Sequence, residues 1–308
     1  MGGDAGTSGT SGHVSVGNWG RWGENDERGA LNLLSPEAVL GAARALRTGK
    51  AYSLAIPIGA RSTPIVGDRP APQRLTLSGP GDEEYHRRLG AADGVGANED
   101  LLVLATHTGT HMDALSHVYS GGAVYNGHPA AGFSPKRGAS RCGIEKVGAI
   151  AARCVLLDVA AYLGVACVSP GTALTSTELE ACRESQGVEV RAGDAILVRT
   201  GWMAALGGPE PPVGFSQPGL GLDAVGFVRD HDVSIVGADN AAVEVIPFDK
   251  GVYLGVHVEL LVRLGVVLLE HLFLEELAAD RCYESLLVVG ALPVSGATGS
   301  PVNPVAIG

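Results

Sequence analysis

Apolar and polar positions along this chain fall into runs of two kinds, one with the period of a strand and one with the period of a helix. Residues 51–59, AYSLAIPIG, alternate as a strand in which Pro57 marks an edge or a bend. EDLLVLATHTG predicts a buried apolar strand, and ARCVLLDVAAYLG a strand running into a helix. TSTELEACRESQG predicts a helix with Thr175 and Glu178 as its capping pair, and GDAILVRTGW the next strand. Helix then strand follow in GLGLDAVGFVRDHDVSIVGADN. The last part predicts a helix in VYLGVHVELLVRLG, a buried strand at 266–269, a short helix, a strand at 284–292 and a Gly/Pro-rich finish. Near the start, Ser35 caps a helix with Pro36 in its first turn, Val39, Leu40, Ala43 and Leu46 at helical spacing, and Gly49 at its end.

The alternation of strands and helices predicts an α/β fold of mixed sheet and flanking helices. No internal repeat or linker divides it, so residues 17–308 read as a single domain behind a disordered Gly/Ser/Thr tail at 1–16. Residues 60–98, rich in Pro, Gly and charge, read as a long loop with Tyr85 and His86 on its surface. Trp19 and Trp22 lie in a Gly-rich arm before the first helix, where they either anchor the arm to the core or line a pocket.

Composition narrows the partners. With 45% hydrophobic residues the 308-residue chain has ample material for a core, and its net charge of −11 disfavours nucleic acid and anionic membrane as partners. A small-molecule substrate is the remaining expectation. Five cysteines, at 142, 154, 167, 182 and 282, form no C-x-x-C pair and predict free thiols. No apolar run has the length of a bilayer, and no basic segment followed by an apolar one opens the chain, so a cytoplasmic location is expected.

The densest chemistry is T-H-T-G-T-H-M-D-A-L-S-H at 106–117. Read as one strand, His107, Gly109, His111 and Asp113 share a face, and two imidazoles with a carboxylate form a first-row metal site by ligand type. Gly109 would let a ligand approach the backbone. His117, four residues beyond Asp113, would overhang the same pocket if a helix began there. Far downstream, His257 opens a helix and Glu270 ends the run GVVLLE, where a carboxylate is costly to bury without a partner. Neither a P-loop, a dinucleotide glycine fingerprint nor a G-x-S-x-G elbow is present.

The run from His107 to His117 resembles the signature of the metal-dependent cyclase/hydrolase family, which includes bacterial kynurenine formamidase, isatin hydrolase and trans-dienelactone hydrolase. GDAILVRTGW, SIVGAD, H-V-E-L-L, G-V-V-L-L-E and a late A-L-P follow the family's order over about residues 50–300. The resemblance implies a swivelling β/β/α fold in homodimers or homotetramers. It implies one metal on His107, His111 and Asp113, and a second on Asp113, His257 and Glu270, as Zn2+ or Mn2+. It also makes His117 the general acid/base. Ala114 and Leu115 depart from the Ala-Pro common in formamidases, which loosens any assignment of substrate.

Three functions follow. The first is hydrolysis of an amide or lactone of a small cyclic or aromatic compound, with hydroxide from metal-bound water as nucleophile and His117 moving the protons. The alternative is a cyclase or dehydratase of natural-product tailoring that uses the same site. A non-enzymatic binding protein of the same fold has no need of His117.

Overall fold

The computed structural model describes residues 17–60, 63–64, 66–209, 211 and 215–308, so the expected tail at 1–16 lies outside it. The strands are β1 (Ala51–Ser53), β2 (Gln73–Ser78), β3 (Glu99–Val103), β4 (His111–Asp113), β5 (Ala149–Asp158), β6 (Ala173–Leu174), β7 (Ala195–Arg199), β8 (Gly219–Leu220), β9 (Ile235–Ala238), β10 (Val267–Glu270), β11 (Glu284–Gly290), β12 (Gly299–Pro301) and β13 (Val305–Ile307). The helices are α1 (Pro36–Ala42), α2 (Glu83–Arg88), α3 (Val159–Tyr162), α4 (Ser176–Gln186), α5 (Trp202–Leu206), α6 (Val225–Asp230), α7 (Gly255–His257) and α8 (Glu275–Ala279).

Nine strands make one sheet in the order β1-β13-β11-β5-β7-β9-β10-β4-β12. Its centre, β5-β7-β9-β10, is parallel, and every other pairing in it is antiparallel. The reason is legible in the residues: AILV, IVGA and VLLE are apolar on both faces, the composition of strands covered by helices on both sides. The mixed α/β class is therefore as expected. α4 forms with the expected capping box, Thr175 accepting from Glu178 N while the Glu178 carboxylate accepts from Thr175 N.

Other expectations need correction. α1 starts at Pro36 with Ser35 as its cap, but it buries Ala42 and leaves Leu40 exposed, so its inner face is not the one the larger residues suggest. The 60–98 stretch contains β2 and α2, and His86 is buried there. The EDLLV segment is a strand, but an exposed one, paired among the described residues only with β2. The Gly/Pro-rich finish supplies two three-residue strands, β12 beside β4 and β13 between β1 and β11.

The arm that carries Trp19 clasps the helix below the site. His257 ends α7, and Val258–Leu264 continues it as a π-helical turn whose last carbonyls need donors. Trp19 Nε1 donates to Val262 O at 2.6 Å, Asn18 N to Arg263 O at 2.9 Å, Asn18 Nδ2 to Leu264 O at 2.9 Å and Ala30 N to Gly265 O at 2.8 Å. Trp22 packs against the main core. Both tryptophans anchor the arm, and neither lines the cavity beside His117.

Gly29 (φ 58°) and Gly265 (φ 66°) meet backbone to backbone at this clasp, and a Cβ on Gly29 would overlap the Gly265 carbonyl. Gly29→Ala is therefore expected to lower the unfolding free energy by about 2–4 kcal/mol, through overlap and a left-handed alanine together. Denaturant titration would measure it, and a loss under about 0.5 kcal/mol would mean the clasp is slack.

Candidate metal centre

The centre is assembled by the pairing of β4 with β10. Glu270 stands directly opposite His111 in the ladder, and Leu268 opposite Asp113, so alternation puts His111, Asp113 and Glu270 on one face. The single-strand reading of His107 to Asp113 fails, because the strand begins only at His111. His107 reaches the site through a turn in which Gly109 has φ 63°. A Cβ at Gly109 would meet only ordinary contacts, so what the turn needs is the left-handed backbone. His117 sits on a tight turn, its N–H donating to Ala114 O at 2.9 Å, and no helix starts at Asp113. His257 comes from α7, at the far end of the crossover from β9.

All six expected residues converge. Asp113 is central: its Oδ1 lies 3.5 Å from His111 Nε2 and 3.8 Å from His107 Nε2. Its Oδ2 lies 3.7 Å from His257 Nε2 and 3.9 Å from His117 Nε2. Glu270 joins the two sides, with Oε2 3.2 Å from His111 Nε2 and Oε1 3.3 Å from His257 Nε2. His117 also falls within ligand reach, its donor within 4.8 Å of those of His107 and Asp113.

This arrangement fits a divalent ion. Both oxygens of Asp113 are buried with no hydrogen-bond partner among the described residues, a state that costs several kcal/mol without a cation nearby. Ligands that share a zinc ion at about 2.0–2.2 Å stand roughly 3–4 Å apart, as these donors do. The ring orientations are also prepared. His111 Nδ1 donates to Gly109 O at 2.8 Å, which turns Nε2 toward Asp113 and Glu270.

His257 is oriented by a carboxylate that the sequence reading missed. Its Nδ1 lies 2.5 Å from Glu244 Oε1, and Glu244 also accepts from the backbone N–H groups of Val256 and His257 at 3.3 Å. Glu244 is fully buried. The signal was present: a glutamate inside the apolar run V-E-V-I, the same anomaly that drew attention to Glu270. Backbone strain marks the same places. Val243, Leu254 and His271 have φ of 56°, 51° and 54° beside Glu244, α7 and Glu270, and such outliers gather where side chains must be aimed.

Burial and charge divide the histidines. Burial pushes His107 down to about 3 and lowers His117, so both rings are neutral near pH 7. Burial opposes charge on His257 too, but its contacts with Glu244 and Glu270 win and raise it to about 10, and Glu270 likewise raises His111 against its burial. His111 and His257 hold Glu270 well below the usual carboxylate range despite its burial. Beside the centre, a cavity of about 570 Å³ is walled by Val124, Ala130 and Phe133, with His117, Arg141 and Thr298 among its polar groups.

Two outcomes follow. A metal must displace the proton held on His257, so affinity should rise with pH, by up to about tenfold per unit between roughly pH 6 and pH 8. Competition with a chromophoric chelator measures this, and a flat profile would contradict the ligand set. Glu244→Gln should weaken the metal about 10–100-fold while leaving the circular dichroism unchanged; affinity within about twofold of wild type would deny Glu244 its orienting role.

The fold is shared with known proteins. The family model described as "Putative cyclase" matches residues 52–245. A crystal structure described as a novel cyclase superposes with TM-score 0.86 at 34% identity, covering 95% of this chain and 97% of the other. Isatin hydrolase A from Labrenzia aggregata, bound to benzyl benzoate, shares the fold at TM-score 0.60 and 22% identity, covering 88% of this chain and 97% of its own. A predicted metal-dependent hydrolase from Bacillus stearothermophilus does so at 0.52 and 21%, covering 83% and 97%. No curated protein matches the chain. His257 and Glu270 lie beyond the matched stretch, and the fold returns them to His107, His111 and Asp113 within it; by family model and by fold, this chain belongs to the Cyclase family.

Proposed function

We propose that the chain is a metal-dependent hydrolase that opens the amide or lactone bond of a small cyclic or aromatic compound. The observation that carries the reading is the place of His117, which stands 3.9 Å from Asp113 and also lines the apolar cavity. A ring there can touch a substrate and the buried donor set together.

His107, His111, Asp113, His257 and Glu270 would hold one or two divalent ions, zinc or manganese. A bound ion of this kind acidifies water and polarises a carbonyl oxygen. The protein's own groups supply the rest. The cavity walls take up the flat apolar part of the substrate and exclude water around the scissile bond. His117, held neutral by its burial, has a free lone pair with which to take the proton of the attacking water. It then returns that proton to the leaving nitrogen or oxygen. Asp113 Oδ2 steadies the imidazolium between the two transfers. The alternative, ring closure or dehydration at the same groups, uses the same proton path in reverse.

A panel of N-formyl anilides, isatins and lactones, with and without chelator, tests the reading. Turnover of at least one class should vanish with chelator and return with metal. His117→Ala should keep its metal and lose about 10²–10⁴-fold in rate. Metal lost with the ring would make His117 a ligand instead, and near wild-type turnover would end its acid/base role. Formation of ring from the open acids, with no hydrolysis, would favour the cyclase.

A further inference from the structure

The cavity beside His117 holds a cation and no carboxylate. Among the described residues that line it, Arg141 is the one charged side chain, and the others are apolar or neutral, His117 included. Arg141 is braced from behind by Glu27, in the arm that also carries Trp19. Its Nη1 donates to Glu27 Oε1 at 2.9 Å, and Glu27 Oε2 accepts from Cys142 N at 2.7 Å. Burial raises Glu27, but the Cys142 N–H and the guanidinium outweigh it and lower it, so the brace is an anion at neutral pH. Glu27 takes only one N–H group of the five that an arginine offers. Nε and Nη2 of Arg141 have no partner among the described residues, and the side chain is 43% exposed. Ser116 marks the same wall. It is only 9% exposed, and its buried Oγ has no hydrogen-bond partner among the described residues. A buried hydroxyl left in that state is costly unless a ligand meets it. Ser116 N donates to Cys142 O at 3.1 Å, so the hydroxyl and the guanidinium come from two bonded segments, and His117 follows Ser116 directly.

We propose that Arg141 and Ser116 Oγ form a carboxylate subsite, and that the compound cleaved here is an acid whose ring bears a carboxylate away from the scissile bond. The scissile bond rests on the proposed hydrolase activity; the subsite does not. The planar fork of a guanidinium matches two carboxylate oxygens, and the hydroxyl adds a third donor. One cation suits a monoanion, whereas a phosphate dianion would keep an uncompensated charge beside apolar walls. In a chain of net charge −11, most of the surface repels anions, so a cavity lined by a cation alone separates acids from their neutral analogues. An acid held at Arg141 lays its ring along the apolar walls and leaves its other end for His117, which lines the same cavity.

Matched acid and neutral compounds test it on the metal-loaded full chain: para-carboxy formanilide against formanilide, and carboxyphthalide against phthalide. Wild type should favour the acid of the pair it cleaves by about tenfold or more in kcat/KM. Arg141→Gln should bring that preference below about threefold by raising KM for the acid with little change in kcat, because the contact is made alike in ground and transition states. Arg141→Lys, which keeps the charge without the fork, should restore part of it. Glu27→Gln removes the competing anion and leaves an acceptor for Cys142 N, so it should keep or raise the preference. A fall as deep as that of Arg141→Gln would make the pair a structural brace and overturn the subsite, as would a wild type indifferent to the carboxylate. Binding separates this failure from failure of the hydrolase reading. Naphthoate, followed by its fluorescence, should bind wild type more tightly than naphthamide whether or not any compound is cleaved. It should weaken about tenfold with Arg141→Gln and about threefold with Ser116→Ala. Naphthoate affinity that survives Arg141→Gln but disappears when metal is removed would put the carboxylate on the metal and overturn the proposal.

Discussion

The constraint on which this structure turns is the burial of three carboxylates, Asp113, Glu244 and Glu270, in one small volume. Carboxylates resist removal from water unless positive charge and donors meet them. The fold answers with imidazoles: His111 and His257 reach Glu270, His257 reaches Glu244, and four rings surround Asp113. Glu244 is satisfied by ring and backbone N–H groups, but neither oxygen of Asp113 has a hydrogen-bond partner among the described residues. That imbalance separates a carboxylate that aims another group from one that is left available for an ion.

The architecture around the site serves to hold those partners. The parallel centre of the sheet supplies β10, and the short β4 is gripped between β10 and β12. His257 depends on α7, whose π-helical continuation is closed by the N-terminal arm through Asn18 and Trp19. Residues remote from the chemistry therefore fix the height at which His257 meets Asp113. Arg69 plays a like part on the other side, its Nη1 donating to His107 O at 2.6 Å.

Much of this was legible in the sequence, but not always for the reason first apparent. His107, His111 and Asp113 stand out by residue type and short spacing, yet they meet through a turn and a three-residue strand, not along one strand face. His257 is unremarkable on pattern and Glu270 stands out only as a carboxylate ending an apolar run, so resemblance to a family was needed to join them to the first cluster. Glu244 was as anomalous as Glu270 in its apolar surroundings, but carries no motif. β2 went unread because leucines at 75 and 77 are surrounded by proline, glycine and charge. β3 was expected to be buried because an apolar run tells nothing about what covers it. β12 and β13 are too short for any period to emerge.

The ladder that sets Glu270 opposite His111 also imposes an order in time. On a ribosome adding roughly 5–20 residues per second, on the order of ten seconds separate the emergence of His111 from that of Glu270. Throughout that interval β4 has neither of its sheet neighbours, since β10 and β12 are both still to come. Under the proposed metal chemistry, an ion met early would find His107, His111 and Asp113 on an unpaired segment, without the register that aligns them and without His257 and Glu270. The full donor set would exist only once the sheet has closed, so that a finished geometry, and not the nascent chain, would meet the ion.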